Sequence, residues 1–145
     1  MSALRGHCLC GAVRWSCDVQ PTRSLVCHCE DCQRATSAPF TGVIGFPPEA
    51  VSWSGAINHY ESSPGTYRGF CPTCGSRLYF RSDKWPGEIH IHAASLDEPN
   101  KYRPDAQVVM RSKTPWLSEL ENIPQHHDFQ ASPIDRSGGA DPRPD

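Results

Sequence analysis

The sequence predicts a small, mainly β fold, and three observations support this prediction. Short runs rich in valine, threonine and aromatic residues are bounded by glycine, proline or serine. The prolines between residues 47 and 104 fall between these runs, where turns are expected. No window keeps a helical spacing of apolar residues for more than two turns, and only Trp116–Leu120 is predicted as a single helical turn.

The predicted strands follow one another along most of the chain. Within the run that begins at Glu88 the alternation is nearly strict, which places Ile89 and Ile91 on one face and His90 and His92 on the other. Such alternation is typical of a sheet with one face in the core. The predicted strands are Ala12–Cys17, Phe40–Phe46, Ala50–Trp53, Ile57–Glu61, Thr66–Cys71, Arg77–Arg81, Glu88–Ala93 and Ala106–Met110.

Residues 1–129 are predicted to form one domain, followed by a tail over residues 130–145. The tail is small, polar and rich in proline and glycine, so it is expected to be disordered. The apolar content of the chain is 37%, which offers little burial to offset chain entropy. A domain of this composition needs other cross-links, and its eight cysteines are the candidates.

Charge and hydropathy exclude two classes of function. The net charge is −2 and there is no long basic run, which argues against a nucleic-acid partner. No stretch approaches the roughly 20 apolar residues of a membrane span, and the first residues lack an apolar run of signal-peptide length. The expected location is therefore the cytoplasm, where cysteines more often serve as thiolates or metal ligands than in disulfides.

Seven of the eight cysteines fall into three clusters with metal-ligand spacing. A C-x-x-C pair followed by glycine is typical of a zinc knuckle, since the turn makes two sulfurs converge and glycine accepts the positive φ that it needs. In a C-x-C pair on an extended strand, both side chains project to the same face. The clusters are Cys8 with Cys10, Cys27 with Cys29 and Cys32, and Cys71 with Cys74.

Tetrahedral zinc takes four ligands, so seven sulfurs divide most simply into a closed set of four and an open set of three. Cys27, Cys29 and Cys32 are close enough in sequence to share one ion at little loop-closure cost. The other two pairs would complete each other and tie together distant parts of the chain. Other interpretations stay open: buried free thiols, a disulfide framework, iron in place of zinc, or a second structural site closed by a histidine or water.

The remaining cysteine is predicted to lie in the core, and the histidines are competing ligands that are not expected to bind the metal. Cys17 fits no ligand spacing and is expected in the core. His28 lies inside a C-x-C pair, so its side chain should point away from the cysteine side chains. His90 and His92 share a strand face that can bind a metal, but a solvated or hydrogen-bonded pair is expected.

The motifs resemble those of the glutathione-dependent formaldehyde-activating enzyme, or centromere-protein-V-like, family. The resemblance covers about residues 6–129, and Gln33 and Ser37 depart from the arginine and the glycine that are frequent in the family. The matching motifs are Gly6-x-Cys8-x-Cys10-Gly11-x-Val13, Cys27-His28-Cys29-x-x-Cys32-x-Arg34 and Phe70-Cys71-x-x-Cys74-Gly75-Ser76.

The resemblance implies a β-tent fold of antiparallel sheets stapled by zinc, with two zinc ions per chain. The structural zinc would be held by Cys8, Cys10, Cys71 and Cys74. The second, more easily lost and catalytic, would be held by Cys27, Cys29 and Cys32. The implied activity is of the carbon–sulfur lyase type.

The expected substrates are a small thiol such as glutathione and an aldehyde such as formaldehyde. An open zinc site can hold the thiol as a thiolate, which then adds to the carbonyl carbon. Glutathione carries carboxylates, so a cation is expected nearby: Arg34 first, then Arg77 or Lys113. Phe40, Trp53 and Phe80 are candidates for the pocket wall. The alternative is a non-catalytic zinc module for protein interaction with both metals structural, and a homodimer is compatible with either prediction.

Overall fold

The structure, a computed structural model, describes residues 3–127 and confirms the mainly β prediction. Within this part, ten strands are joined by turns, short 3₁₀ segments and one α-helix. The elements in chain order are β1 (Leu4–His7), β2 (Arg14–Cys17), β3 (Arg23–Cys27), α1 (Glu30–Thr36), β4 (Thr41–Phe46), β5 (Val51–Ser54), β6 (Asn58–Ser63), β7 (Thr66–Phe70), β8 (Arg77–Ser82), β9 (Ile89–His92) and β10 (Ala106–Val108).

All eight predicted strands are present, with ends displaced by at most about two residues, as is usual for boundary assignments. Two strands and the helix escaped prediction. β1 and β3 are short runs that include charged residues, and α1 contains no buried residue, so it shows no apolar stripe. β1, β3 and α1 therefore depend on contacts with distant parts of the chain and not on a local sequence pattern.

The strands form two sheets. The smaller sheet has the order β1-β2-β5 and is antiparallel throughout. The larger has the order β10-β3-β4-β9-β8-β7-β6 and is antiparallel except where the edge strand β10 runs parallel to β3. The expectation of antiparallel sheets therefore holds with one exception, which a long connection from β9 to β10 makes possible.

The main core contains side chains from both sheets. Ile44, Phe46 and Ile91 of the larger sheet are almost fully buried in it. Trp15 of the smaller sheet packs against Phe46 at a ring-centroid distance of 6.3 Å and donates its indole N–H to Ser95 Oγ at 2.9 Å. Each such side chain stabilises the fold by about 1.5–3 kcal/mol. Cys17 belongs to this core, as predicted.

The opposite face of the larger sheet, which we call the polar face, carries Cys27 of the predicted site, whereas Cys29 and Cys32 belong to α1 and its N-cap. Cys27 pairs with Thr41, and His92 pairs with Val43. Thr41 and Val43 are two residues apart on β4, so their side chains share a face. Cys27 and His92 therefore lie on the same side of the sheet. The prediction that Ile89 and Ile91 face away from His90 and His92 is confirmed by the burial of both isoleucines in the core. His92 is nevertheless also buried.

The chain divides into two units, one that ends at Thr114 and a second that begins at Pro115. The described part of the second unit contains a 3₁₀ helix, Pro115–Asn122, where a turn was predicted at Trp116–Leu120. The predicted domain end at residue 129 and the tail over 130–145 lie outside the described residues. Within residues 3–127, no helix combines the length and the apolar character that crossing a membrane requires.

Candidate metal centres

Four sulfurs from two distant turns converge in the structure. The Sγ atoms of Cys8, Cys10, Cys71 and Cys74 all lie within 4.8 Å of one another. The Cys8–Cys10 and Cys10–Cys71 sulfur separations are 3.6 and 3.8 Å. Tetrahedral zinc with Zn–S bonds near 2.3 Å requires sulfurs about 3.8 Å apart. The donor set therefore fits a zinc ion. We call it the four-sulfur cluster.

Each half of the four-sulfur cluster is a tight turn that ends in glycine. Gly11 has φ 77° and donates its N–H to the carbonyl of Cys8 at 3.0 Å. Gly75 has φ 76° and donates to the carbonyl of Cys71 at 2.8 Å. Because φ in this region strains residues with a side chain, glycine allows both turns to close at little cost. The knuckle predicted at Cys71 and Cys74 is present, whereas the expectation that Cys8 and Cys10 lie on an extended strand is wrong: they lie in a turn between β1 and β2.

Hydrogen bonds around this cluster favour the thiolate forms of Cys8 and Cys74. Despite a hydrogen bond from the Ala12 backbone, burial and the neighbouring sulfurs raise the pKa of Cys10 to about 11. Burial raises the pKa of Cys8, but the Val13 N–H, 3.3 Å from its Sγ, and the neighbouring thiols hold the net pKa below its ordinary value. The Ser76 hydroxyl, 3.2 Å from the sulfur of Cys74, is the main reason that the pKa of Cys74 falls to about 5. A thiolate is the form that binds zinc, so the second shell suits a metal.

The four-sulfur cluster joins the two sheets. Cys8 and Cys10 lie in the turn from β1 to β2 in the smaller sheet, whereas Cys71 and Cys74 lie in the turn from β7 to β8 in the larger. Cys8 and Cys71 are buried in a second apolar cluster that also contains Leu78. A metal here would cross-link parts of the chain about 60 residues apart, which is a structural role.

A second group of three sulfurs forms within six residues of chain. Cys27 ends β3, Cys29 is the N-cap of α1, and Cys32 lies in the first turn of that helix. Their ligand atoms lie within 4.8 Å of one another, and all three residues are partly exposed. Among the described residues, no histidine, cysteine, aspartate or glutamate supplies a fourth ligand atom to this group. We call it the three-sulfur cluster.

The three-sulfur cluster carries negative charge at neutral pH. The Cys32 thiol, by hydrogen bonding to Cys27, is the main reason that the pKa of Cys27 falls to about 5. The same contact raises the pKa of Cys32, and burial raises it further. The Cys32 N–H donates to Cys29 Sγ at 3.3 Å. A thiolate held close to other thiols attracts a cation, and a metal ion that binds them displaces their remaining protons. This donor set therefore also fits a metal.

Side-chain hydrogen bonds hold the helix that carries two of these sulfurs. The Thr36 hydroxyl donates to the carbonyl of Cys32 at 2.8 Å. The Gln33 amide donates to the carbonyls of His28 at 2.7 Å and Ser112 at 2.9 Å, which ties α1 to the chain before Thr114. Ser37 ends the helix with φ 52°, a left-handed conformation that glycine adopts more readily. Gln33 and Ser37, the two residues that depart from the resembled motifs, therefore occupy structural positions.

His28 is buried outside the three-sulfur cluster. Its Nε2 lies 2.9 Å from Oε1 of Gln107 on β10, and its ring lies 5.9 Å from the ring of Phe40. Its Nδ1 is buried without a hydrogen-bond partner among the described residues. The histidine is thus directed away from the sulfurs, as its position in the C-x-C pair predicted.

Of the predicted cations, Arg34 lies on α1 with the three-sulfur cluster. Arg34 is exposed and lies two residues after Cys32, which places it about 200° around the helix. Arg77 has one guanidinium nitrogen, Nη1, that is buried without a partner among the described residues. Trp53 packs against both apolar clusters, so it contributes to the core. Arg34 as a substrate contact stays a prediction.

Sequence reasoning missed Arg68 as a neighbour of α1, and it did not predict the burial of His92. Arg68 is buried on β7, and its Nη2 lies 4.0 Å from Oδ2 of Asp31, which immediately precedes Cys32. Burial, followed by the charges of Arg68 and Arg77, lowers the pKa of His92 to about 4. In the sequence, Arg68 is an ordinary polar position of a strand, and only its burial marks it.

Comparison with known proteins agrees with this geometry. The family described as glutathione-dependent formaldehyde-activating enzyme matches residues 3–112. The chain belongs to this family. A lyase of Schizosaccharomyces pombe named as uncharacterized is 30% identical over 113 residues, which are 78% of this chain and 82% of the relative. A Halomonas elongata protein provisionally named a glutathione-dependent formaldehyde-activating enzyme is 27% identical over 141 residues, 90% of this chain and 88% of the relative.

The fold of this family member also recurs in a solved structure. The crystal structure of a Rhodobacter sphaeroides protein superposes with a TM-score of 0.58 at 20% sequence identity. The match covers 72% of this chain and 99% of the other. At this identity the likeness shows the shared fold and nothing about the reaction.

Proposed function

We propose that this family member is a zinc-dependent enzyme of the carbon–sulfur lyase type that acts on the thiol adduct of an aldehyde. The observation that carries the proposal is the contrast between the two clusters. One gathers four sulfurs, whereas the other gathers three and receives no fourth histidine, cysteine, aspartate or glutamate ligand atom from the described residues. Catalytic zinc sites characteristically keep one such open position, and structural sites do not.

In this proposal Cys27, Cys29 and Cys32 hold the catalytic zinc, and the four-sulfur cluster holds a structural one. A zinc ion bound by three cysteines supplies Lewis acidity, which lowers the pKa of a substrate thiol. The chain's own contribution is rigidity, since β3 fixes Cys27 while α1 fixes Cys29 and Cys32. Gln33 ties that helix to the carbonyls of His28 and Ser112, so the sulfurs keep their spacing as substrate enters.

The reaction is the reversible addition of a thiol to an aldehyde, and the best candidates are glutathione and formaldehyde. The thiol loses its proton, its sulfur forms a bond to the carbonyl carbon, and the carbonyl oxygen takes up a proton to give an S-hydroxymethyl adduct. The reverse reaction breaks the same C–S bond. Positioning of the two reactants is the main expected source of acceleration, because a thiol adds to formaldehyde without help. The proposed location is the cytoplasm.

Exchange NMR of an equilibrium mixture of glutathione and formaldehyde tests this function directly. The zinc-loaded protein should accelerate exchange between free glutathione and its adduct, and Cys29→Ser should lose this acceleration while its fold is kept. Cys17→Ala is the matched control, because Cys17 is a core residue outside both clusters. An unchanged exchange rate with fully loaded protein would remove the lyase proposal.

A non-catalytic zinc module is the second candidate, and one observation favours it. Two of the clefts in the described part of the chain, of about 510 and 360 Å³, are lined by residues other than the cysteines of either cluster. If both metals are structural, the protein should unfold when either is removed. If the proposed function is correct, mild chelation should remove one zinc per chain and leave the fold intact. Metal content and circular dichroism, measured during chelation, separate the two candidates.

A further inference from the structure

A row of side chains crosses the polar face of the larger sheet. Register pairs Tyr60 with Arg68, Arg68 with Phe80, and Phe80 with His90, so these four residues project to one side. The Arg68 guanidinium carbon lies 5.1 Å from the centroid of the Phe80 ring, and the His90 ring stacks against Phe80 at 5.6 Å. The aromatic ring thus holds the flat guanidinium in a fixed orientation.

Arg68 is buried without a strong counter-charge. Its side chain is only 8% exposed, and its Nε donates to Ser62 Oγ at 3.1 Å. Among the described residues, Asp31 is the one carboxylate within 4.0 Å of its nitrogens, and that distance is longer than a hydrogen bond. The Asp31 side chain is 84% exposed, so solvent weakens its attraction for Arg68. Burying a guanidinium costs free energy unless an anion pairs with it.

The position of this cation relative to the three-sulfur cluster follows from Asp31. Asp31 lies between Cys29 and Cys32 in the chain, and its carboxylate is the group that approaches the Arg68 Nη2 atom. A ligand anion that displaced Asp31 would therefore lie against the first turn of α1, the helix that begins at Cys29 and contains Cys32. His92, on the same sheet face, is held neutral near pH 7 and offers no competing charge.

We propose that Arg68 is a specificity-determining residue of the three-sulfur site, which binds a carboxylate of the thiol substrate in place of Asp31. This inference rests on the proposed function and deepens it, because it restricts the substrate to thiols that carry a carboxylate. A guanidinium presents two parallel N–H groups to a carboxylate, and such charge-assisted pairs are stronger than neutral hydrogen bonds. A neutral thiol of the same reactivity would lack this contact.

The test compares two thiols on zinc-loaded protein variants. Dissociation constants are measured by calorimetry for glutathione and by competition for 2-mercaptoethanol, which has no carboxylate. Arg68→Gln should raise the dissociation constant for glutathione about tenfold to a hundredfold, and that for 2-mercaptoethanol less than about threefold. Arg68→Lys should give an intermediate loss for glutathione, since lysine keeps the charge but not the paired N–H groups. Arg81→Gln, an exposed arginine of β8, is the matched control.

Asp31→Asn provides a variant that leaves the buried arginine in place. Because Asp31 competes for the Arg68 guanidinium, its neutralisation should lower the dissociation constant for glutathione by up to about fivefold. This measurement keeps the inference testable even if Arg68→Gln does not fold. Arg34→Gln, run in parallel, shows whether the predicted helix arginine provides the contact instead.

The outcomes separate this inference from the function on which it rests. Selective loss of glutathione binding in Arg68→Gln supports it, as does Arg68-dependent binding of S-methylglutathione, which has no free thiol. Equal effects on both thiols, no effect on either, or a loss confined to Arg34→Gln would overturn it. A third outcome is that glutathione binds the wild-type protein and not Arg68→Gln, while the wild-type protein does not accelerate exchange between glutathione and its formaldehyde adduct. That outcome supports the carboxylate contact and overturns the lyase function.

Discussion

The two cysteine clusters differ in how the chain assembles them. The four-sulfur cluster gathers two turns from different sheets and buries Cys8 and Cys71 among apolar side chains. The three-sulfur cluster needs only the end of β3 and the first turn of α1, and its cysteines remain partly exposed. A cluster built from distant segments stabilises the fold that brings them together, whereas a local and open cluster is free to serve chemistry.

The sharpest test of this comparison removes one sulfur from each cluster. Cys71→Ser should lower the free energy of unfolding by several kcal/mol and the melting temperature by about 10 °C or more, because the cross-link between the sheets is lost. Cys29→Ser should shift the melting temperature by only about 2–4 °C. Calorimetry, together with zinc content per chain, measures both effects.

The comparison is contradicted if Cys29→Ser destabilises the protein as much as Cys71→Ser does, or more. Equal destabilisation by Cys71→Ser and Cys29→Ser would mean that both metals are structural, which is the non-catalytic alternative. Cys17→Ala serves again as the control, since it should lose no zinc. Its small core cavity should cost about 1 kcal/mol.

Stability measured as a function of pH tests the buried His92, which lies on the same sheet face as Cys27. The pKa of His92 is lowered to about 4 in the folded protein by burial and by Arg68 and Arg77, with a smaller contribution from His90, against about 6.5 when unfolded. The unfolded chain therefore binds a proton that the folded chain excludes. Stability is fully present above about pH 6.5 and falls by about 3 kcal/mol as the pH drops towards 4.

His92→Gln should flatten this part of the stability profile, which chemical denaturation at a series of pH values measures. Zinc content recorded at each pH distinguishes histidine protonation from metal loss through protonated cysteines. A variant with the wild-type slope between pH 6.5 and 4 would show that the excluded proton does not belong to His92.

The smallest expected effect comes from replacing a glycine in a turn, and it compares Gly75, in the turn of Cys71 and Cys74, with Gly87, in a turn outside both clusters. Gly75 and Gly87 have φ values of 76° and 80°, and a Cβ at either position would meet no atom within 4 Å. Gly75→Ala and Gly87→Ala should each cost about 1–2 kcal/mol through backbone strain alone. Only Gly75→Ala should also weaken zinc binding, because its turn carries Cys71 and Cys74. Competition with a chromogenic chelator measures that difference, and equal zinc affinities would show that the turn does not control the cluster.

Much of the fold could be read from the sequence because its signals are local. Alternation in Glu88–Ala93 predicted the faces of β9 correctly, since side chains of a strand point to opposite sides whatever the neighbouring strand. β1, β3 and α1 were not predicted, because they lack an apolar pattern and depend on partners elsewhere in the chain. The parallel pairing of β10 with β3 joins strands about 80 residues apart, and no local signal marks it.

The sequence by itself determined the three cysteine clusters and predicted their division into a set of four and a set of three, because local spacing fixes which neighbouring sulfurs can share an ion. The structure confirmed that the two distant pairs meet. The tertiary structure alone decided which charged groups surround them. Arg34 is next to the cysteines in the chain but lies on the far side of α1 from Cys32, whereas Arg68 is distant in the chain yet close to Asp31. The physical reason is that tertiary packing brings residues together regardless of their separation in sequence, as it does for Arg68 of β7 and Asp31 of α1.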